Sequence, residues 1–153
     1  MQLHLEGSNS IDAQRDRVYS LLTDANFVAK TLPDAEDVSV LDASNLEAKI
    51  KLRIAVVSAK IAMKMTISKT EPPSAATLVA EGSGSGSTMK ITSVFSLSGD
   101  TPTTMAWNAD AEIGGVMAGI GSALLKGFAT RKVAEIFEGI TKAIDGAPAQ
   151  GAP

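Results

Sequence analysis

Few residues in this chain have the types and spacing that chemistry requires. His4 is the sole histidine, and Asp110 with Glu112 is the most suggestive carboxylate pair. An imidazole serves as a general base only in an enclosed site with an orienting partner, and paired carboxylates can divide acid and base roles between them. The alternation of Leu3 and Leu5 against His4 and Glu6 puts the imidazole on the polar side of a strand. Asp110 and Glu112 have the parity opposite to Met105, Trp107, Ala109 and Ala111, so both are expected in solvent. There is no cysteine, which removes disulfides, thiolate nucleophiles and Cys-ligated metals, and one histidine makes a poor start for a zinc site. Gly82–Ser87 reads GSGSGS, which superficially resembles a phosphate cradle. A P-loop needs a Lys-Ser/Thr pair opening a helix, whereas Thr88 to Leu97 alternates as a strand. The run is expected to be a hairpin connection or bulge at the rim of a cavity.

The methionines carry more information. Met63, Met65, Met89 and Met105 all fall on inward-reading strand positions. Methionine is unbranched and polarizable, so it fills ordinary cores but also conforms to irregular apolar ligands. As a set, and with Trp107 beside them, these residues favour a pocket for a planar or chain-like apolar molecule.

Those positions must be held by surrounding elements. Gln2 to Glu6 reads as a strand, and a helix capped by Asp12 is expected to run to about Thr23. A loop or short helix over 24–37 carries Phe27, Leu32 and Pro33. Short strands follow at 38–41, 47–54, 60–69, 77–81, 88–97 and 104–113. Their apolar parity changes between Ile54 and Ile61, which places a turn near 55–58, and Glu71-Pro72-Pro73-Ser74 is a chain breaker. Gly114-Gly115 is expected to open a long helix ending at Gly146. A sheet polar on one face and apolar on the other can bury its apolar face against one long helix. This is an α+β helix-grip arrangement: a curved antiparallel sheet wrapped around a C-terminal helix, with a central apolar cavity. Residues 1–145 are expected to form a single domain and 146–153 (GAPAQGAP) a flexible tail.

At 100° per residue the expected helix has two apolar stripes. One contains Gly115, Ala118, Ser122, Leu125, Ala129, Val133, Ile136, Ile140 and Ile144 and should face the sheet. Its small first half leaves room for a ligand, and its larger second half should close the core. The other contains Met117, Ile120, Leu124 and Phe128 before turning charged at Arg131 and Glu135. Placed away from the sheet, these four would dock a partner or a membrane surface, or be covered by the 27–33 segment or a second copy of the chain.

Bulk composition narrows the function classes. The 153 residues are 44% hydrophobic and 20% charged with net charge −3, which describes a globular chain without the concentrated positive surface of a nucleic-acid binder. The N-terminus shows no secretory leader, and the longest apolar run, Ile113 to Leu125, is too short and too glycine-rich to span a bilayer. A soluble or at most peripheral protein is expected.

Several stretches resemble the CoxG family, the carbon monoxide dehydrogenase G-subunit proteins of the START-like (SRPBCC) superfamily. The resemblance covers roughly residues 1–144. It is most specific at Ala109-Asp110-Ala111-Glu112-Ile113-Gly114-Gly115, followed by Met117-Ala118 and Gly121-Ser122. The hairpin around Glu47-Ala48, Ile50-Lys51 and Val57, the glycines at 82, 84 and 86, and Leu32-Pro33 are also similar, although Asp34 stands where the family has glycine. The resemblance implies a START/Bet v 1-like fold and a non-catalytic accessory protein without a covalent cofactor. It implies binding of a quinone or lipid-like molecule, and help in recruiting or coupling a molybdenum hydroxylase of the CO dehydrogenase type at the cytoplasmic membrane face. An assembly or maturation factor with an incidental cavity, and a START-like cyclase or hydrolase, are the alternatives. Phe27, Leu32, Ile61, Met63, Met65, Met89, Ile91, Phe95, Met105 and Trp107 are the candidate ligand-binding residues, roofed by Ala118, Ser122 and Leu125. No catalytic or metal-ligating residue is expected.

Overall fold

The computed structural model describes residues 1–32, 34–54 and 56–146. In chain order the elements are β1 (Gln2–Ile11), α1 (Arg15–Leu22), α2 (Ala25–Thr31), β2 (Ala35–Asp42), β3 (Asn45–Ile54), β4 (Val57–Glu71), β5 (Ala75–Gly84), β6 (Ser87–Gly99) and β7 (Thr103–Gly115). A 3-10 turn (Val116–Ile120) and α3 (Ser122–Gly146) complete the described chain. Of the expected tail, only Gly146 lies within the described residues, as the last residue of α3.

The strands make one curved, wholly antiparallel sheet in the order β1-β7-β6-β5-β4-β3-β2. β2 to β7 form a meander, and β1 joins it beside β7, with Leu3 opposite Ala111. The strands extend beyond the expected spans. Alternating apolar residues mark only where a strand faces the core, whereas its backbone hydrogen bonds continue into the polar ends. In β4 the inward set Ala59, Ile61, Met63, Met65 and Ile67 is buried and the intervening lysines are exposed. The glycine-serine run resolves into a hairpin. Gly84 pairs with Ser87, and the two connecting residues, Ser85 and Gly86, both have positive φ, as a tight primed turn requires.

Two helix starts differ from expectation. Asp12 does not cap α1, because β1 continues through the fully buried Ile11 and the helix begins only after Gln14. Asp24 instead caps α2, its carboxylate accepting from the Asn26 N–H at 3.0 Å. The larger correction concerns the C-terminal helix. Gly114-Gly115 does not open it: both residues finish β7, still paired with Thr88 and Ser87. The 3-10 turn follows, and Gly121, at φ 100°, separates it from α3. A side chain strongly disfavours that backbone conformation, so glycine marks the true break.

The interior has two parts. At one end Ile11, Val18, Tyr19, Leu22, Ala76, Leu97, Met105, Ile140 and Ile144 form a filled cluster, of which Leu22, Met105 and Ile140 also border the hollow. At the other, the inner faces of β3 and β4 meet Ile113, Met117 and Leu125 around a hollow.

Candidate ligand cavity

The hollow lies between the concave face of the sheet and α3, with a volume of about 340 Å³. That falls in the range of small-molecule sites, and empty space of this size is otherwise scarce in close-packed interiors. β1 contributes Leu3 and Leu5, β3 Ile50, Leu52 and Ile54, and β4 Ile61, Met63, Met65 and Ile67. β5 to β7 supply Leu78, Ala80, Met89, Ile91, Phe95, Met105, Trp107, Ala109 and Ala111. Opposite them stand Met117 and, from α3, Leu125, Phe128, Ala129, Val133, Ile136, Phe137 and Ile140, while Val28 and Leu32 border the α2 side.

Polar groups on this wall are few and mostly engaged. Thr31 donates its hydroxyl to the Val28 carbonyl at 2.8 Å, and Ser93 to the Asn108 carbonyl at 3.0 Å. Trp107 stacks at a tilt on Phe137, with centroids 5.0 Å apart, and donates its indole N–H to the Asn9 side chain. Among the described residues Lys132 is the one charged residue that lines the cavity. Its ammonium is bound to Asp34, to Glu135 at 3.1 Å, and lies 5.7 Å from the Phe128 ring centroid. The Asp34 hydrogen bond in particular holds its pKa above the usual lysine value.

The candidates for acid–base chemistry lie on the other side of the sheet. His4 hydrogen-bonds Asp110 at 2.6 Å and Glu6 at 3.2 Å, and these carboxylates, Asp110 first, raise its pKa. All three are exposed, Glu112 with them, and none borders the cavity. Among the described residues no group of three or more acidic, cysteine or histidine side chains is placed to hold a metal ion. No helix among them is long and apolar enough to cross a membrane.

Residues 7–145 match the family model for the carbon monoxide dehydrogenase G-subunit, CoxG. The chain belongs to the CoxG family. Its fold is START-like: a START superfamily protein from Mycobacterium smegmatis superposes with TM-score 0.69 at 13% identity, over 93% of this chain and 97% of that one. A conserved protein from Geobacillus kaustophilus superposes at 0.83 with 25% identity, over 94% and 95%. Zhui aromatase/cyclase from Streptomyces sp. R1128 superposes at 0.64 with 14% identity, over 95% and 94%. No curated protein matches the sequence.

Within this CoxG chain, Leu32, Ile61, Met63, Met65, Met89, Ile91, Phe95, Met105, Trp107 and Leu125 border the cavity. Three other candidates do not. Phe27 packs against the filled cluster and is not part of the lining. Ser122 is exposed, and Ala118 packs against the core outside the cavity lining. The expected outward stripe is also corrected. Met117 is 2% exposed and lines the cavity, Phe128 lines it too, and Ile120 packs on the core; only Leu124, at 55%, is exposed. Met117 belongs to the 3-10 turn, whose tighter winding and separation from α3 at Gly121 break a 100° projection, whereas Phe128 lies three residues after Leu125 on α3 and shares its face. The larger second half of the sheet-facing stripe does not simply close the core either, since Val133, Ile136 and Ile140 border the hollow.

Lys132, Phe128 and the β3 residues were missed as site residues. The β3 set has the inward parity of its neighbours, and a lysine one turn beyond Phe128 beside an apolar stripe was a readable signal.

Proposed function

We propose that this chain is a non-catalytic carrier for an apolar molecule, a quinone or a lipid-like compound, that serves a molybdenum enzyme of the CO dehydrogenase type. The observation carrying the proposal is the cavity of about 340 Å³, walled by methionine, aliphatic and aromatic carbon. An apolar molecule entering it loses contact with water without stranding its own polar groups, and the flexible methionines adapt to its shape. Membership of the CoxG family supports the enzyme partner. Contact with the cytoplasmic membrane face would be peripheral, and the exposed Val116 and Leu124 beside the Gly121 break are the side chains we assign to it.

A cyclase is the reading that the Zhui likeness raises. It needs an acid or base facing the substrate, and among the described residues the cavity wall offers only Lys132, which its hydrogen bonds to Asp34 and Glu135 hold as the ammonium. The test is mass spectrometry of an organic extract of the purified protein, with native mass spectrometry alongside. A stoichiometric quinone or lipid is expected. Protein that is empty and refuses added quinones and lipids defeats the carrier reading and leaves an assembly factor.

A further inference from the structure

We propose that Lys132 selects the ligand's polar end, so that the cavity takes apolar molecules bearing a neutral carbonyl in preference to hydrocarbons or carboxylates. The inference rests on the carrier reading and specifies its ligand. Among the described residues Lys132 is alone in bringing formal charge to the wall, and its side chain is only 25% exposed. An ammonium has three N–H donors and no acceptor. Asp34 and Glu135 take two of them, leaving the third for an oxygen at the α2–α3 rim, close to the Phe128 ring. The hydroxyls of Thr31 and Ser93 have already given their single protons to backbone carbonyls. An acceptor on the ligand therefore has one charged donor to find.

The same cluster decides between acceptors. One ammonium against two carboxylates leaves a net negative site, so a ligand carboxylate gains the lysine and meets two like charges. A carbonyl oxygen gains the hydrogen bond without that repulsion. Backbone conformation keeps Asp34 in place. It stands at φ 60°, in the left-handed region where Asp is among the tolerated residues, and its carbonyl accepts from the Lys51 N–H at 3.1 Å. Glycine adopts the same φ freely, so the carboxylate can be deleted without disturbing the chain.

The competing reading is that only the lysine stem touches the cavity while its head serves the ion pairs alone. Calorimetric titration with three probes sharing one ring system separates the two: menadione (carbonyls), 2-methylnaphthalene (hydrocarbon) and 2-naphthoate (carboxylate). Wild-type protein should bind menadione about ten-fold more tightly than 2-methylnaphthalene, the size of one charge-assisted hydrogen bond. Lys132→Met should abolish that preference. Asp34→Gly should keep the preference and improve 2-naphthoate relative to menadione. A preference that survives in Lys132→Met, or no preference in the wild type, overturns the inference and leaves the carrier reading standing. If none of the probes binds the wild type, and extraction also finds no ligand, both fall.

Discussion

The two ends of the interior are built from the same sheet yet differ in what they enclose. At the filled end, α1 lays Val18, Tyr19 and Leu22 against Leu97 and Met105, and the last turns of α3 add Ile140 and Ile144. Tyr19 even reaches the Ala75 carbonyl with its hydroxyl at 2.9 Å. Over the hollow the helical partners are the 3-10 turn and α3 as far as Ile140, where Ala118, Gly119, Gly121 and Ala129 supply little volume. The sheet offers an apolar face throughout, and the space beneath the helices is roofed by small side chains at the 3-10 turn and by Phe128, Val133, Ile136 and Phe137 further along α3.

Adding the same bulk at both ends puts this contrast under the greatest stress. Ala76→Trp, at a fully buried position of the filled cluster, should prevent native folding, because no void exists to receive the indole. Ala129→Trp places the indole where the hollow already is, so the fold should persist while bound ligand is lost. Circular dichroism with extraction of both variants reads this, and an Ala129→Trp protein that still carries ligand would show that the hollow is not the site.

Truncation gives a smaller contrast. Ile11→Ala in the filled cluster should cost about 2–5 kcal/mol, the range for large-to-small changes at fully packed positions. Met89→Ala already borders empty space and is only partly buried, so its cost in urea denaturation should stay below about 1.5 kcal/mol. Equal costs would mean that the hollow collapses in solution.

The junction between the 3-10 turn and α3 can be tested through its glycines. At Gly121, φ 100° makes any side chain unfavourable, and Gly121→Ala should lose about 1–3 kcal/mol. At Gly119 an added Cβ meets nothing within 4 Å and the φ is not positive, so Gly119→Ala should be neutral or stabilise by up to about 1 kcal/mol. Opposite signs in thermal unfolding would support the kink.

The smallest expected effect is outside both regions. Glu36 accepts from Lys51 at 2.7 Å and Lys60 at 2.8 Å, and these hydrogen bonds, Lys51 first, lower its pKa from 4.5 to about 2. A carboxyl with a depressed folded pKa stabilises above its unfolded value and loses that contribution as pH falls through the folded one. Glu36→Gln should therefore lower the melting temperature slightly at neutral pH. The difference from wild type should shrink between pH 4.5 and pH 2 and weaken in high salt, as screened surface pairs do.

The residues of this sequence determined the sheet's inner face, because a strand's side chains alternate with a period of two whatever surrounds it. Met63, Met65, Met89, Met105 and Trp107 could be assigned to one face from parity alone. The single long helix after the strands, and hence the α+β class, followed from the same periodicities. What lay beyond reach was rotation. A helix face can be projected only while the helix is continuous, and Gly121 separates the 3-10 turn that carries Met117 from α3; on α3 itself the cavity face is wide enough to take both Leu125 and Phe128. The meeting of Lys132 with Asp34 joins residues 98 apart in the chain, through a left-handed backbone at Asp34 that local pattern does not announce. Periodicity acts along the chain and is legible there; a cavity and the charge at its rim arise from how separate elements come together, and only the tertiary structure decides that.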